Sequence, residues 1–338
     1  MTKINFAELP KKDRIEIFNQ ASIKTGIPAY AVEKDWWVHL VLKTLFDMEI
    51  GNYLVFKGGT SLSKAWKLID RFSEDIDLAI DRNFVGFSGE LSKKERTKLR
   101  KATSEYLEYA FLPKFIQKLT ALNFEKLAIK IIEPISSDQD PRIIEVYYPT
   151  IINSPGYIMP RVQIEIGCRS LKEPFTLKEI KTLIDEQFPD ALFVEDAIKI
   201  PCVNPERTFL EKIFLLHEEF QRPIEKIRVD RLSRHLYDIY QLSKTEFAGK
   251  AISNKILYET IVKHRILFTK VGGVDYKLHQ PQAINPIPPD NLISEWKADY
   301  KIMQEQMIYG ESPSFDDLIT DIKGVKRLFN DSKWTIDF

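Results

Sequence analysis

Cysteine is nearly absent from this 338-residue chain, as are long apolar runs and any excess of charge of one sign. The two cysteines, Cys168 and Cys202, cannot form a disulfide framework and are typical of a reducing compartment. No apolar run approaches membrane-spanning length, and the N-terminal segment MTKINFAELPKKDR has no apolar signal core. These absences predict a cytoplasmic protein with no membrane partner.

The charge of the chain is balanced, with 49 basic and 49 acidic residues. This balance argues against a protein that coats nucleic acid non-specifically, although it leaves room for a local basic patch. Two basic stretches, 93–101 and 222–234, are candidates for an RNA track, but a solvated helix face explains each equally well. The five histidines show no H-x-x-x-H spacing and neither cysteine has the partner spacing of a zinc site, which argues against zinc chemistry.

The apolar pattern predicts an α+β fold, in which a mixed β-sheet flanked by helices is followed by a helical C-terminal half. A soft boundary is predicted near residue 175, because the pattern turns helical after about residue 176. Turn residues in SSDQDP and NSPGY predict that the last three strands form an antiparallel meander. The predicted helices are 7–22, 29–47, SLSKAWKLI (61–69) and 91–120, and the predicted strands are 53–56, 75–80, 126–132, 142–148 and 161–167.

Two aspartates, Asp75 and Asp77, lie in the predicted strand DIDLAI. Side chains alternate along a strand, so the two carboxylates face one way and the apolar residues face the other. Neighbouring carboxylates repel each other, and a divalent cation such as Mg²⁺ removes that cost. Glu165 in RVQIEIG is the candidate third acid of a two-metal site. The alternative is that DxD and Glu165 are ordinary solvent-facing strand residues.

Gly58 and Gly59 follow a predicted strand and precede a predicted helix. Glycines at such a turn let backbone amides approach a phosphate closely, although a simple tight turn explains them too. The stretch matches neither the P-loop nor the G-x-G-x-x-G pattern. Side chains that add hydroxyls or positive charge near the turn are further candidates for nucleotide binding: Lys57, Thr60, Ser61, Lys64 and Ser73.

Taken together, GGTSLSK followed by FSEDIDL resembles the nucleotidyltransferases of the DNA polymerase β-like superfamily. The gap from Gly59 to Asp75 is longer than is usual there, and it is similar to that of the AbiEii-type toxins. These are the nucleotidyltransferases of type IV toxin–antitoxin and abortive-infection systems. Four further stretches resemble parts of that family: VEKDWWVHLVL, NPERTFLEKIFLLHEE, RHLYDIYQL and WKADYKIMQEQMIYG.

The resemblance implies a nucleotidyltransferase core with N-terminal helices at 1–175 and a helical domain at 176–338 that completes the active-site cleft. It implies that Lys212 contacts the triphosphate and that Asp238 joins Asp75, Asp77 and Glu165 as a catalytic acid. The implied reaction uses two Mg²⁺ ions and transfers a nucleoside monophosphate from an NTP to an acceptor. In some members the acceptor is a tRNA 3′ end, and a separately encoded antitoxin neutralises the toxin.

Alternatives remain open at several residues. Lys212 also fits a lysine that snorkels from the edge of an apolar helix face, and Asp238 also fits an i,i+4 salt bridge with Arg234. Lys34 and Asp35 interrupt an apolar helix, so buried partners are expected whether or not they brace the active site. The alternative functions are a non-catalytic nucleotide- or RNA-binding module and a protein-modifying transferase.

Overall fold

The structure is a computed structural model that describes residues 3–136, 139–154 and 159–337. It divides into two compact units, Met1–Trp66 with Phe72–Val203 and Lys67–Arg71 with Asn204–Phe338. The predicted boundary near residue 175 therefore lies inside the first unit. The predicted turns SSDQDP and NSPGY lie partly outside the described residues.

The first unit contains a seven-stranded mixed sheet, which together with its flanking helices confirms the predicted α+β fold class. The strand order is β3-β4-β5-β2-β1-β7-β6. The strands are β1 (Leu54–Lys57), β2 (Asp75–Ile80), β3 (Ala128–Ile131), β4 (Arg142–Tyr147), β5 (Arg161–Gly167), β6 (Phe175–Ile180) and β7 (Ile198–Val203).

Pairing in the sheet places β2 at its centre, antiparallel to β1 and parallel to β5. Strands β3, β4 and β5 pair antiparallel in sequence order, which confirms the predicted meander. Strand β7 pairs parallel with β1 and antiparallel with β6. The two aspartates of β2 therefore have close neighbours on both sides.

Helices flank this sheet, and the one that contacts β5 is buried along most of its length. This helix, α2, is apolar on nearly every side, which explains its burial. The helices of the first unit are α1 (Lys11–Thr25), α2 (Ala29–Phe46), α3 (Gly58–Lys64), α4 (Lys93–Glu105), α5 (Leu112–Thr120) and α6 (Leu183–Gln187), with a π-helical segment at Tyr106–Phe111 and 3₁₀ turns at Phe6–Glu8, Glu49–Tyr53 and Arg82–Val85.

Two predictions for this region were wrong. The helix predicted at 61–69 ends at Lys64, and Lys67 then adopts a left-handed φ of 55°, which ends a right-handed helix. The region after residue 176 contains most of β6 and all of β7 rather than helix alone. Pro201 lies within β7, and proline is uncommon inside strands, so this sequence carries a weak strand signal.

The second unit is helical over its described residues, apart from one isolated bridge between Arg71 and Ile308. Asn204 is the N-cap of its first helix and Pro205 is the first helical residue. No helix in the described ranges is long and apolar enough to span a membrane. The helices are α7 (Pro205–Glu219), α8 (Ser233–Ser243), α9 (Glu246–Ser253), α10 (Lys255–Phe268), α11 (Ile293–Gln306) and α12 (Phe315–Asn330), with 3₁₀ turns at Ile224–Lys226, Tyr276–His279, Pro281–Ala283 and Asp290–Leu292.

Candidate active site

Strand β2 presents its two aspartates on one face and its apolar side chains on the other. Asp75 and Asp77 are half-buried, whereas Ile76 and Leu78 are fully buried. The alternation follows from the two-residue period of a strand. The carboxylates therefore lie on the open face of the sheet, as the sequence pattern predicts.

Glu165 lies beside this pair on the neighbouring strand. In the β2–β5 register Asp77 is the partner of Glu165, and Asp75 is the partner of Gln163. Gln163 donates a hydrogen bond of 2.9 Å from its Nε2 to the Glu165 carboxylate. Burial raises the pKa of Glu165, and the negative charges of Asp77 and Asp75 raise it further. The structure thus brings the three predicted acids together on adjacent strands.

The chemistry of these three acids fits a hard divalent cation, because their donors are carboxylate oxygens on one open face. Burial is the main cause of the raised pKa of Glu165, and the repulsion from Asp77 and Asp75 that adds to it is one that a cation between the carboxylates would relieve. In the described part of the chain, no group of three or more His, Cys, Asp or Glu side chains is already gathered around a single metal position. Binding two ions would therefore require the side chains of the three acids to rearrange.

The diglycine bend lies directly against Asp77. Lys57, the last residue of β1, is the register partner of Asp77, and its charge lowers the pKa of Glu165. Gly58 has a left-handed φ of 78°, and a Cβ atom there would overlap the carboxylate of Asp77. Only glycine can hold this bend without strain and without displacing the acid. The bend and the acids therefore form one continuous feature of the first unit.

The hydroxyls that follow the bend point into the protein. Thr60 is fully buried, and its hydroxyl hydrogen-bonds the backbone carbonyl of Asp75 and, at 2.9 Å, the hydroxyl of Ser73. Ser61 is also buried and lies beside Cys202. These contacts tie α3 to the start of β2, so Thr60 and Ser73 support the backbone on which Asp75 is placed.

Lys34, Asp35 and Lys64 each take part in a buried ion pair. Asp35 pairs with Lys64 and accepts a hydrogen bond of 2.8 Å from the amide of Leu183. Lys34 lies 2.6 Å from Glu74. Burial lowers the pKa of Lys34, while Glu74 and then Asp75 oppose that effect. Lys34 therefore interacts electrostatically with Asp75 of the acid face, whereas the ammonium of Lys64 is paired with Asp35.

Lys212 and Asp238, which the family resemblance singles out, meet in the second unit. The Asp238 carboxylate is fully buried and lies 2.7 Å from the Lys212 ammonium. It also accepts two hydrogen bonds of 2.7 Å from Arg71. Burial alone would raise the pKa of Asp238, but Arg71 and Lys212 outweigh it and hold that pKa well below its usual range. The cations that pair with Asp238 are thus Arg71 and Lys212, rather than Arg234, the i,i+4 partner considered as the alternative.

Sequence reasoning missed Arg71, because nothing in its spacing links it to Asp238. The sequence also left open whether the basic stretch 222–234 binds RNA. Glu219 binds two of its arginines, with Arg222 at 2.8 Å and Arg228 at 2.7 Å. These arginines are consequently partly neutralised by a buried acid, which weakens the case for that stretch as an RNA track.

Comparison with families of known proteins matches residues 40–321 to the family described as Nucleotidyl transferase AbiEii toxin, Type IV TA system. This class of protein agrees with the acid face and the diglycine bend. Because the match covers most of the 338 residues, the chain belongs to the AbiEii family of nucleotidyltransferase toxins. No curated protein matches the chain.

Proposed function

We propose that this chain is a metal-dependent nucleotidyltransferase that transfers a nucleoside monophosphate from an NTP to RNA, with a tRNA 3′ end as the favoured acceptor. Within its family it would act as the toxin of a type IV pair with a separately encoded antitoxin. The observation that carries the proposal is the placement of Asp75, Asp77 and Glu165 on one open face of adjacent strands. The Gly58 bend against Asp77 supports it.

Asp75, Asp77 and Glu165 are the residues that would hold two Mg²⁺ ions. When bound, such ions neutralise charge on the triphosphate and on the attacking and leaving oxygens. In the proposed reaction an acceptor hydroxyl oxygen bonds to the α-phosphorus, the bond from that phosphorus to the bridging oxygen breaks, and pyrophosphate leaves. The hydroxyl proton is released as the new phosphodiester forms. Positioning and electrostatics dominate catalysis of this kind.

The remaining residues of the first unit have supporting roles in this proposal. The backbone amides of Gly58 and Gly59 are proposed to approach the phosphates, the missing side chain of Gly58 leaves room for the Asp77 carboxylate, and Lys57 supplies positive charge next to the acids. Thr60 and Ser73 hold the backbone of Asp75 through their hydrogen bonds. These hydrogen bonds add to the β2–β5 pairing that fixes the first aspartate at the start of β2.

Two residues of the second unit are assigned by family resemblance. Lys212 is proposed to contact the triphosphate, and Asp238 is proposed to orient Lys212 rather than to bind metal itself. The support for this second role is that both oxygens of the buried Asp238 carboxylate are already engaged by cations. A lysine paired in this way stays protonated more readily than an isolated buried lysine would.

The test is incorporation of each α-labelled NTP into total RNA and into protein in the presence of Mg²⁺. Asp75→Ala and Asp77→Ala are compared with wild type, and Asp316→Ala is a matched control because its side chain is 77% exposed. We expect wild type and Asp316→Ala to label RNA, and we expect Asp75→Ala and Asp77→Ala to lose this label. Label in protein alone would make the chain a protein-modifying transferase, and label in neither pool with folded protein would make it a binding module.

A further inference from the structure

A cavity of about 490 Å³ lies in the second unit, where α12 meets the connector 285–290. Its size is within the range of about 300–1,000 Å³ that is usual for small-molecule sites. Helix α12 lines it with Lys323, Lys326 and Arg327, which are three and four residues apart and therefore share one helix face. Other positions of α12, among them Ile322, form its buried side.

The three cations of this cavity are open to solvent, because Lys323 and Arg327 are exposed and Lys326 is half-buried. Over residues 3–136, 139–154 and 159–337, Lys323, Lys326 and Arg327 have no ion pair within 4.0 Å. The lining carries Asp290 as its one acid among these described residues. Like charges at this helical spacing repel each other, and a bound anion would relieve the repulsion. Since the chain as a whole is neutral, this is a local concentration of positive charge.

Hydrogen bonds beside the cavity tie α12 and the residues after it to the chain just before the connector. Asn330 of α12 donates hydrogen bonds of 2.9 and 3.1 Å to the carbonyls of Pro281 and Ile284. Gln282 donates to the carbonyls of Ser332 at 2.7 Å and Trp334 at 2.9 Å. A site that is already fixed in this way loses little conformational freedom on binding.

The remaining lining offers a ring and a hydrogen-bonding oxygen. Phe220 is half-buried and packs its ring edge-on to Trp296 at 5.2 Å, so the ring is held in place. The Oδ1 atom of Asn285 is buried without a hydrogen-bond partner in the part of the chain that the structure describes. Aromatic faces stack on nucleobases, and an amide oxygen accepts from a base amino group or a ribose hydroxyl.

We propose that this cavity is a nucleotide-binding site separate from the acid face, with phosphate on Lys323, Lys326 and Arg327 and the base against Phe220. The shared chemistry is a nucleotide phosphate, which either a free nucleotide or one unit of a single-stranded RNA can supply. The proposal goes beyond the transferase reaction, and its test involves no turnover. Failure of the transferase assay would therefore leave it standing.

The test measures fluorescence anisotropy without divalent cation, using ribose-labelled ATP and a short fluorescein-labelled single-stranded RNA. The variant K323Q/K326Q/R327Q removes the three cavity charges. K250Q/K255Q/K263Q is the matched control, because it removes three charges from side chains of α9 and α10 that are 54%, 45% and 52% exposed. Thermal melting shows whether each protein is folded.

Wild type and control should bind at least one probe equally, and the cavity variant should bind it at least about tenfold more weakly. If RNA is the natural source, the slope of log K against log salt should fall by about 2 in the cavity variant. A loss confined to ATP would identify a free nucleotide. Equal affinities of all three proteins for both probes, or no binding to wild type, would overturn the proposal.

A second variant separates a nucleotide site from a plain phosphate site. Phe220→Leu removes the stacking ring and should weaken nucleotide binding by about tenfold. Inorganic triphosphate should compete with the probe equally well in wild type and Phe220→Leu. Unchanged nucleotide affinity in Phe220→Leu would overturn the base contact, and Asn285→Ala provides the same comparison should Phe220→Leu unfold.

Discussion

Asp77 and Glu165 are register partners on the neighbouring parallel strands β2 and β5, and the charge of Asp77 raises the pKa of Glu165. Burial is the larger cause of that shift. Because the folded-state pKa is raised, Glu165 favours folding when protonated and loses that contribution as pH rises through its folded pKa. At neutral pH and without metal, the ionised carboxylate should therefore reduce stability.

We expect Glu165→Gln to melt at a higher temperature than wild type at pH 7 in metal-free buffer. The difference should vanish as pH falls toward about 4.3, the ordinary pKa of Glu, where Glu165 is protonated. Added Mg²⁺ should raise the melting temperature of wild type more than that of Glu165→Gln. Glu305→Gln, at a side chain that is 60% exposed, is the control and should show neither effect. Equal Mg²⁺ stabilisation of wild type and Glu165→Gln would contradict a metal site at Glu165.

Gly58→Ala should lower the rate of nucleotide incorporation at least tenfold. Gly58 has a φ of 78°, so alanine costs about 1 kcal/mol of backbone strain there. Its Cβ atom would in addition push the Asp77 carboxylate away. The matched control is Gly26→Ala, because Gly26 has a φ of 72° but no heavy atom within 4 Å of the added Cβ. Gly58→Ala should lose at least as much melting temperature as Gly26→Ala, and only Gly58→Ala should lose activity. Equal activity in the two variants would show that the bend does not position Asp77.

Strand periodicity allowed the acid face to be predicted, because Asp75, Asp77 and Glu165 alternate with buried apolar residues. Sequence predicted the β3–β4–β5 meander but could not show that β5 lies beside β2, and the β2–β5 register supplies that information. The strand β7 was missed because Pro201 weakens its strand signal.

Long-range ion pairs carry no periodic signal at all. The partners Arg71 and Asp238 are 167 residues apart, and Lys64 and Asp35 are 29 residues apart. Their pairing follows from packing in three dimensions, because a buried charge requires a partner wherever the chain can supply one. For the same reason the sequence pointed to Lys64 as a phosphate contact, while the structure engages its ammonium with Asp35.

Variants of the Lys64–Asp35 pair can distinguish a structural role of Lys64 from a phosphate-binding role. Lys64→Met should cost about 3 kcal/mol of unfolding free energy, because it leaves the buried Asp35 without its cation. The double variant Lys64→Met/Asp35→Asn should recover most of that loss, as thermal melting would show. If the Lys64 ammonium serves only this buried pair, the KM for NTP in the double variant should stay within about threefold of wild type. A tenfold rise in KM with stability restored would instead support the predicted contact with the triphosphate.

Asp238→Asn should destabilise the second unit by about 3 kcal/mol, because Arg71 and Lys212 would remain buried without their counter-charge.

Burial opposes ionisation of Asp238, but the two cations hold its pKa below the ordinary value of about 3.9. Its contribution to stability is therefore present above that ordinary value and is lost as pH falls toward the lower folded-state pKa. Melting temperatures of wild type and Asp238→Asn should accordingly differ at pH 7, and the difference should begin to shrink only below about pH 4. Asp316→Asn, in the exposed pair with Lys297, should change stability by less than about 0.5 kcal/mol at pH 7. A melting temperature of Asp238→Asn equal to that of wild type at pH 7 would show that the three-membered cluster does not stabilise the fold.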